Sequence, residues 1–236
     1  MRLLSLGLIA ILALLAPAVR AQQPMVAVEL FTSQGCSACP PADALLARLA
    51  EEEDLVVLSL HVDYWDYLGW RDRFARPENT RRQKLYARAH HARSIYTPQV
   101  IVQGRWRKVG SDEAEVRAAI AMARAETARV ALELRELPDR LELHVRPLAR
   151  IGFAEAGVLH LVSYDRPQTV RIERGENAGR EITYVNVVRD WMRLGVWDGR
   201  GEAVFSAPLP VMGRGLAVLL QDGPVGPILA ATRLER

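Results

Sequence analysis

Cysteine is almost absent from this chain of 236 residues, which contains only Cys36 and Cys39. A small exported scaffold that depends on disulfides carries several cysteines spread along its length, so that class of protein is excluded. Half of the residues are hydrophobic, which is enough to fold the chain around an apolar core. The neighbouring pair therefore needs an explanation other than cross-linking the fold.

Long apolar runs are missing after the first residues, so the mature chain is predicted to have no membrane span. Arg2, the apolar run 3–16 and the small residues up to Ala21 are typical of an export signal. We predict a signal peptide at 1–21 and a periplasmic or secreted mature protein; failed cleavage would instead leave a membrane anchor. Removing Arg2 and Arg20 leaves 29 basic residues against 28 acidic, which predicts no binding to nucleic acid.

Motifs for several other chemistries are also lacking. The sequence contains no nucleophile elbow of the G-x-S-x-G type, no phosphate-binding loop and no zinc-protease motif. It also has no internal repeat and no low-complexity segment. The cysteine pair is therefore the main chemical signal, and no cofactor is predicted.

The first half of the chain alternates between strand and helix patterns, as a parallel βαβ unit does. Strands are predicted at 25–31, 55–62, 99–103 and 106–109, and helices at 42–53, at about 81–93 and from 111 or 112 to about 128. The helix near residue 81 is predicted from Thr80–Gln83, which resembles a capping box. Both cysteines fall between the first strand and the first helix.

From residue 129 onwards the apolar residues alternate, which is typical of half-buried strands. Val130–Leu134 and Leu141–Val145 predict a hairpin around the Pro138-Asp139 turn. About eight short strands and no long helix predict an antiparallel sandwich or barrel. We place a domain boundary near residue 129. The polar segment 174–180 could form a simple hairpin turn or contact a functional site.

Cys36 and Cys39 have the spacing of a redox-active pair. Two thiols three residues apart can form a disulfide in a tight turn, yet the ring is too small to stabilise the fold strongly. Backbone N–H groups before a helix favour a thiolate. We predict Cys36, as the more exposed sulfur, to be the attacking thiol and Cys39 to be the resolving thiol. An inert structural disulfide is the alternative.

Metal binding is a second alternative for the pair. A zinc site needs four ligands, and a second C-x-x-C motif is absent. His61 ends the second predicted strand and is the histidine that can be placed near Cys36. Cys36, Cys39 and His61 together would suit copper, although His61 could equally be a histidine with ordinary structural contacts.

Substrate contacts are predicted at Thr97, Pro98 and Trp65. Pro98 opens a strand, and a cis bond before it would leave backbone groups of Thr97 free to pair with an extended peptide. Trp65 belongs to the aromatic segment 64–74, which could form a hydrophobic lip for a peptide or pack within the protein.

Four motifs carry a resemblance to known proteins: VELFTSQGCSACPPAD, LSLHVDYWDYLGW, SIYTPQVIVQGR and RGENAGREITYVNVVRDW. Residues 25–128 resemble the thioredoxin superfamily, although Ser37-Ala38 replaces the usual Gly-Pro. The nearly complete mature chain resembles a family of exported bacterial proteins of unknown function that join a thioredoxin-like domain to a β-rich part. The resemblance implies an α/β thioredoxin-like domain at 24–128 followed by an all-β antiparallel sandwich-like domain at 129–236.

The sequence therefore predicts an exported protein that exchanges thiols and disulfides with proteins or peptides through Cys36 and Cys39. Such a protein could be a thiol–disulfide oxidoreductase or a redox partner. The alternative is a non-catalytic protein that binds copper or a partner. Neither the redox direction nor the oligomeric state follows from the sequence.

Overall fold

Strands dominate the computed structural model, which describes residues 25–209 and 213–235. They contain 41% of the described residues, whereas helices contain 18%. The predicted signal peptide at 1–21 lies outside these residues. Within the described part, no helix has the length and apolar character needed to cross a bilayer.

Strands and helices alternate in the N-terminal half. Its elements are β1 (Val26–Thr32), α1 (Pro40–Leu49), β2 (Leu55–His61), α2 (Pro77–Ala89), β3 (Gln99–Val102), β4 (Trp106–Val109) and α3 (Glu113–Arg124). The strands form one sheet in the order β2-β1-β3-β4, with β1 and β2 parallel and β3 antiparallel to β1 and β4. Every residue of β1 and β2 is buried, as expected for strands covered on both faces.

Helices α1 and α3 cover one face of this sheet. Leu45 and Leu46 of α1 and Ile120 of α3 pack in one hydrophobic cluster with Val28 of β1 and Val57 of β2. Their spacing along each helix places them on one side, which is why the sequence pattern predicted both helices. Helix α1 begins immediately after Cys39, so packing of its apolar face holds the disulfide segment against the end of β1.

The predicted start of α2 is wrong. The helix begins at Pro77, four residues earlier, because proline fits the first helical turn, where its missing N–H leaves no bond unmade. Thr80, the predicted cap, lies inside the helix, and its hydroxyl donates to Asp63 Oδ1 at 2.5 Å. Helix α3, by contrast, is capped by Asp112, whose side chain accepts from the Glu115 N–H at 3.1 Å.

Antiparallel strands make up the rest of the described chain. They are β5 (Val130–Glu136), β6 (Arg140–Pro147), β7 (Gly157–Tyr164), β8 (Gln168–Arg171), β9 (Glu181–Tyr184), β10 (Val188–Trp197), β11 (Ala203–Pro208), β12 (Gly215–Asp222) and β13 (Ile228–Glu235). Three sheets result, in the orders β10-β7-β12-β13, β11-β6-β5 and β8-β9. The predicted hairpin at 130–145 is confirmed as β5 and β6, with Leu132 opposite Val145.

One hydrophobic core joins the first sheet to the sheet that contains β7 and β12. Phe31 of β1 and Leu60 of β2 belong to the same buried cluster as Val162 of β7 and Leu219 of β12. The second face of the β1–β4 sheet is therefore covered largely by strands from the C-terminal half.

A buried ionic network crosses the same boundary. Arg82 of α2 donates to Glu29 Oε1 at 2.6 Å and to Gln221 Oε1 at 3.1 Å, and the Tyr86 hydroxyl donates to Glu29 Oε2 at 2.6 Å. The Arg82 guanidinium also lies 3.9 Å from the centre of the Trp191 ring. Charged groups are removed from water only where they are paired in this way.

These contacts correct the predicted fold class. An α/β thioredoxin-like domain followed by a separate antiparallel sandwich-like domain is wrong, because the chain is mostly strand, has only three short α-helices among the described residues and folds into several sheets. A self-contained α/β domain covers its sheet with helices. Here one face of the first sheet packs against strands from the other half of the chain. The boundary near residue 129 stays a prediction.

Candidate disulfide site

Cys36 and Cys39 form a disulfide in the turn between β1 and α1. Their Cα atoms are 5.4 Å apart, and the Cys39 N–H donates to the Cys36 carbonyl at 3.2 Å. The turn is fixed on its other side by the Cys36 N–H, which donates to the Ser33 carbonyl at 3.2 Å. Cys39 is the residue that precedes the first turn of α1, and its carbonyl accepts from the N–H groups of Ala42 at 2.9 Å and Asp43 at 3.1 Å.

Both cysteines are buried, with exposed fractions of 1% for Cys36 and 0% for Cys39. Cys36 was predicted to be the more exposed of the two, and the difference is so small that neither residue is open to solvent in this conformation. The sequence could not reveal this burial, because Asn177, which donates to the Cys36 carbonyl, lies 141 positions further along the chain.

The cover segment, which we define as residues 174–180, lies against the disulfide turn. The Asn177 side chain donates to the Gln34 carbonyl at 3.0 Å and to the Cys36 carbonyl at 2.8 Å. Glu176 accepts a hydrogen bond from the Ser37 N–H at 3.3 Å. The segment is also the hairpin turn that joins β8 and β9, with its own backbone hydrogen bonds, so it has both of the roles that the sequence left open.

Gly175 allows the cover segment to approach an aromatic side chain. Its φ angle of +77° is one that residues with a side chain rarely adopt. A Cβ atom at this position would lie 3.2 Å from the Cβ of Trp70. The Trp70 indole in turn donates to Gln34 Oε1 at 2.9 Å, which ties the aromatic segment to the same turn.

The three predicted substrate-contact residues lie near one another and near the turn. The Trp65 indole donates to Thr97 Oγ1 at 2.7 Å, and a Cβ on Gly35 would lie 3.2 Å from the Trp65 Cβ. The Thr97–Pro98 peptide bond is cis, as predicted. Trp65 therefore connects the residue before Cys36 with the residue before Pro98.

His61 ends β2 and is completely buried. Its Nδ1 lies 2.6 Å from Asp72 Oδ2, and its ring packs against Tyr184 and Phe74 at centroid distances of 4.8 and 5.3 Å. Among the described residues, no three His, Cys, Asp or Glu side chains are grouped so that they could hold a metal ion. The alternative copper site of Cys36, Cys39 and His61 is thus not assembled.

Asp72 is a buried acid that connects His61 with the turn before Cys36. Its carboxylate accepts from the Gln34 N–H and the Phe74 N–H, both at 2.8 Å, in addition to its contact with His61. Burial acts to raise the pKa of Asp72, but His61 and the donated hydrogen bonds outweigh burial and lower the pKa. Asp72 is therefore a carboxylate that also fixes the residue two positions before Cys36.

Asp43 is a second buried acid, one turn of α1 after the resolving cysteine. Its backbone N–H donates to the Cys39 carbonyl at 3.1 Å, and its Oδ1 accepts from the Thr32 hydroxyl at 2.8 Å. Burial raises the pKa of Asp43 to about 7, although His61 and the Thr32 hydrogen bond act to lower it. The sequence prediction missed this residue. The signal was its spacing of four from Cys39 and three from Leu46, which places an acid on the apolar face of the helix.

Several buried polar atoms around the disulfide have no hydrogen-bond partner among the described residues. They are Gln34 Nε2, Asp43 Oδ2, His61 Nε2, Asn177 Oδ1 and Tyr184 Oη. Such atoms are rare in folded proteins and are normally bonded to ordered water when no protein group is near. The space beneath the disulfide is therefore polar.

An open cavity of about 410 Å³ lies on the outer side of this polar region. Asp63, Asp66, Arg71 and Asp72 are among the residues that line it. Asp66 accepts a hydrogen bond from the Asp72 N–H at 3.1 Å, and burial raises the pKa of Asp66. Asp72 thus forms part of the cavity wall while its carboxylate contacts the buried His61.

These features define a β-rich protein with a short disulfide loop buried beside two acids and an imidazole. Residues 27–221 match the family described as "Protein of unknown function (DUF1223)", and the chain belongs to that family. No curated protein matches the chain.

Two solved structures are similar over most of the chain. Protein AGR_C_4864 from Agrobacterium tumefaciens is 33% identical, with a TM-score of 0.76 over 91% of this chain and 96% of that one. HBP35 of Porphyromonas gingivalis is 14% identical, with a TM-score of 0.61 over 90% of this chain and 75% of that one. At that identity the second likeness concerns the fold alone.

Proposed function

We propose that this protein exchanges thiols and disulfides with peptide or protein partners outside the cytoplasm, using Cys36 and Cys39. The observation that carries the proposal is the disulfide itself, which joins residues three apart at the start of α1. So short a loop removes little freedom from the unfolded chain, so the bond stabilises the fold weakly. A redox role explains why two cysteines occur three residues apart at the start of α1.

The surroundings of the pair support the same function. Asp43 is a buried acid one turn from Cys39, with a pKa of about 7 because of its burial. Thiol–disulfide exchange converts thiols to thiolates and back, so it requires a group that can gain or lose a proton near neutral pH. Trp65 and Thr97 form a hydrogen-bonded edge beside the turn, against which an incoming peptide can lie.

Burial of both sulfurs means that exchange requires the cover segment 174–180 to move. The contacts that hold it to the turn are three hydrogen bonds, two from Asn177 and one to Glu176. Each hydrogen bond contributes about 1 kcal/mol to stability, so opening this segment is accessible without unfolding the protein. The proposal of an exported location rests on the apolar N-terminal run and on the oxidised pair.

Equilibration with glutathione tests the proposal. We expect the mature protein to reach an equilibrium between dithiol and disulfide while folded, with a potential well above about −300 mV. A Cys39→Ser variant should retain a mixed disulfide on Cys36, whereas the matched Cys36→Ser variant should not. A disulfide that glutathione and dithiothreitol leave intact until the protein is unfolded would refute the function.

The cover segment can be tested separately. Asn177→Ala removes two hydrogen bonds to the turn and should speed reduction of the disulfide by dithiothreitol roughly tenfold or more. Asn186→Ala is the matched control, because that side chain also donates to a backbone carbonyl, Val57 O at 2.9 Å, but lies in another part of the fold. Equal rates in the two variants would show that access to the sulfurs does not depend on the cover segment.

A further inference from the structure

Opening of the disulfide would leave a buried sulfur that needs a proton. Cys39 has an exposed fraction of 0%, so its sulfur cannot exchange protons directly with bulk water. A charged thiolate in such a place is costly unless a nearby group neutralises or pairs it. If the protein performs the proposed exchange, some internal group has to deliver and remove this proton.

Asp43 is the buried acid placed to do this. It follows Cys39 by four residues and its N–H is bonded to the Cys39 carbonyl, so both side chains emerge on the same side of α1. One carboxylate oxygen, Oδ1, is fixed by Thr32 at 2.8 Å. The other, Oδ2, is buried and has no hydrogen-bond partner among the described residues, which leaves it free to carry a proton.

A path from Asp43 to the protein surface continues through two further groups. His61 Nε2 is buried and, within the described chain, also has no partner, while Nδ1 of the same ring contacts Asp72 at 2.6 Å. Asp72 in turn lines the open cavity next to Asp66. An imidazole with one nitrogen held by a carboxylate and the other free is suited to pass protons between two acids.

We propose that Asp43, His61 and Asp72 relay protons between the buried sulfur of Cys39 and the cavity lined by Asp66 and Asp72. This inference rests on the proposed thiol–disulfide exchange. It assigns relay roles to three side chains of which only His61 was singled out by the sequence, there as a metal ligand.

The exchange then proceeds in two balanced steps. A client thiolate attacks Cys36 Sγ, a new sulfur–sulfur bond forms there, and Cys39 Sγ leaves with the electron pair of the old bond. The Asp43 carboxyl gives its proton to this sulfur and is reprotonated from the cavity through His61 and Asp72. In the second step another thiolate of the client attacks the client sulfur of the mixed disulfide, the client leaves as a disulfide, and Cys36 Sγ takes the electron pair of the broken bond. In the reverse direction ionised Asp43 removes the proton from Cys39, whose Sγ attacks Cys36 Sγ of the mixed disulfide and releases the client sulfur with the electron pair.

The electrostatics of the cluster agree with this role. Burial raises the pKa of Asp43 to about 7, so both its protonated and its ionised forms are present near neutral pH. The groups that face it are His61, Asp72, the Thr32 hydroxyl and Tyr184, whose own pKa is raised by burial and by the two acids. Of these, His61 and Thr32 stabilise the carboxylate, whereas Asp72 disfavours it.

The test measures the rate at which Cys39 releases glutathione from a mixed disulfide on Cys36, between pH 5 and pH 10. We expect the wild-type rate to rise with an inflection near pH 7. In Asp43→Asn the inflection should move to the ordinary range of a thiol, at or above about pH 8.5, with a rate about tenfold lower at pH 7. Asp54→Asn, the same change at a partly exposed acid, should leave the profile unchanged.

Two further variants separate a relay from a merely structural role. Thr32→Val keeps the Asp43 carboxyl but removes a hydrogen bond that lowers its pKa, so the inflection should move to higher pH. His61→Gln interrupts the path behind Asp43 and should slow the release of glutathione severalfold at pH 7. Cooperative urea unfolding of each oxidised variant at pH 4, where ionisation of Asp43 does not contribute, serves as the check on folding.

The outcomes distinguish this inference from the function on which it rests. If wild-type protein forms no mixed disulfide with glutathione, the proposed exchange itself fails. If exchange occurs but Asp43→Asn has the wild-type pH profile, the relay is overturned while the function stands. An unchanged rate in His61→Gln would overturn the path through the imidazole.

Discussion

Replacing Asp43 by asparagine should stabilise the oxidised protein at alkaline pH and leave it nearly unchanged at acid pH. In the folded protein burial raises the pKa of this carboxyl from 3.8 to about 7. A raised pKa means that folding favours the protonated form. The stability it contributes is complete below about pH 4 and is lost as the pH rises through about 7.

The size of the effect follows from the shift. Three units of pKa correspond to about 4 kcal/mol, at 1.36 kcal/mol per unit. Asparagine has nearly the shape of the neutral carboxylic acid, and its carbonyl oxygen can still accept the bond that Thr32 donates to Asp43 at 2.8 Å. The variant should therefore match the wild type at pH 4 and exceed its free energy of unfolding by as much as about 4 kcal/mol at pH 8.

Urea unfolding of the oxidised proteins at intervals from pH 4 to pH 8 measures this difference. The useful quantity is the stability of Asp43→Asn minus that of the wild type, because other titrating groups cancel in it. Asp54→Asn is the control with the opposite sign, since the hydrogen bond from Arg124 lowers the pKa of Asp54 in the folded protein. A difference between Asp43→Asn and wild type that stays constant across this range would refute the reasoning.

Three further changes test the fold. Glu29→Gln leaves the Arg82 guanidinium buried without its ionic partner and should lower the free energy of unfolding at pH 7 by about 3 kcal/mol in urea titrations; a second change, Arg82→Met, should recover part of that loss. Gly104→Ala should cost more than about 2 kcal/mol in thermal unfolding, because φ is +67° and the new Cβ would lie 2.4 Å from the Gly226 carbonyl oxygen. Arg124→Ala, on the partly exposed face of α3, should cost less than about 1 kcal/mol, and the cost should shrink in 1 M salt. Stability losses of equal size at the buried and exposed pairs would contradict this ranking.

Local elements followed from the sequence because local patterns determine them. The apolar runs at β1 and β2 and the alternation at β5 and β6 each appear within a few residues, so their positions were predicted closely. Asp112, which caps α3, was one of the two positions at which that helix was predicted to begin. The start of α2 was placed four residues late because the sequence Thr80–Gln83 resembles a capping box. The residue that begins the helix is Pro77.

The fold class and the environment of the cysteines did not follow, because both depend on contacts between distant residues. Phe31 and Leu219 are 188 positions apart and belong to one hydrophobic core. The local spacing of apolar residues contains no information about such a contact. The burial of Cys36 did not follow for a similar reason, since Asn177 donates to its carbonyl from the other half of the chain. Asp43 could have been noticed from its helical spacing, but the buried partners of its carboxyl depend on tertiary structure.

The Asn177 contact also means that the cysteine pair is synthesised before the segment that contacts it. A polypeptide that emerges N-terminal end first contains both thiols long before the segment that will shield them has been made. Large oxidants and isomerases can therefore react with the pair before the chain is complete. In the folded protein, the pair reacts only when the cover segment opens or with a reagent small enough to pass it. Maturation would thus change which molecules can react with the same two sulfurs.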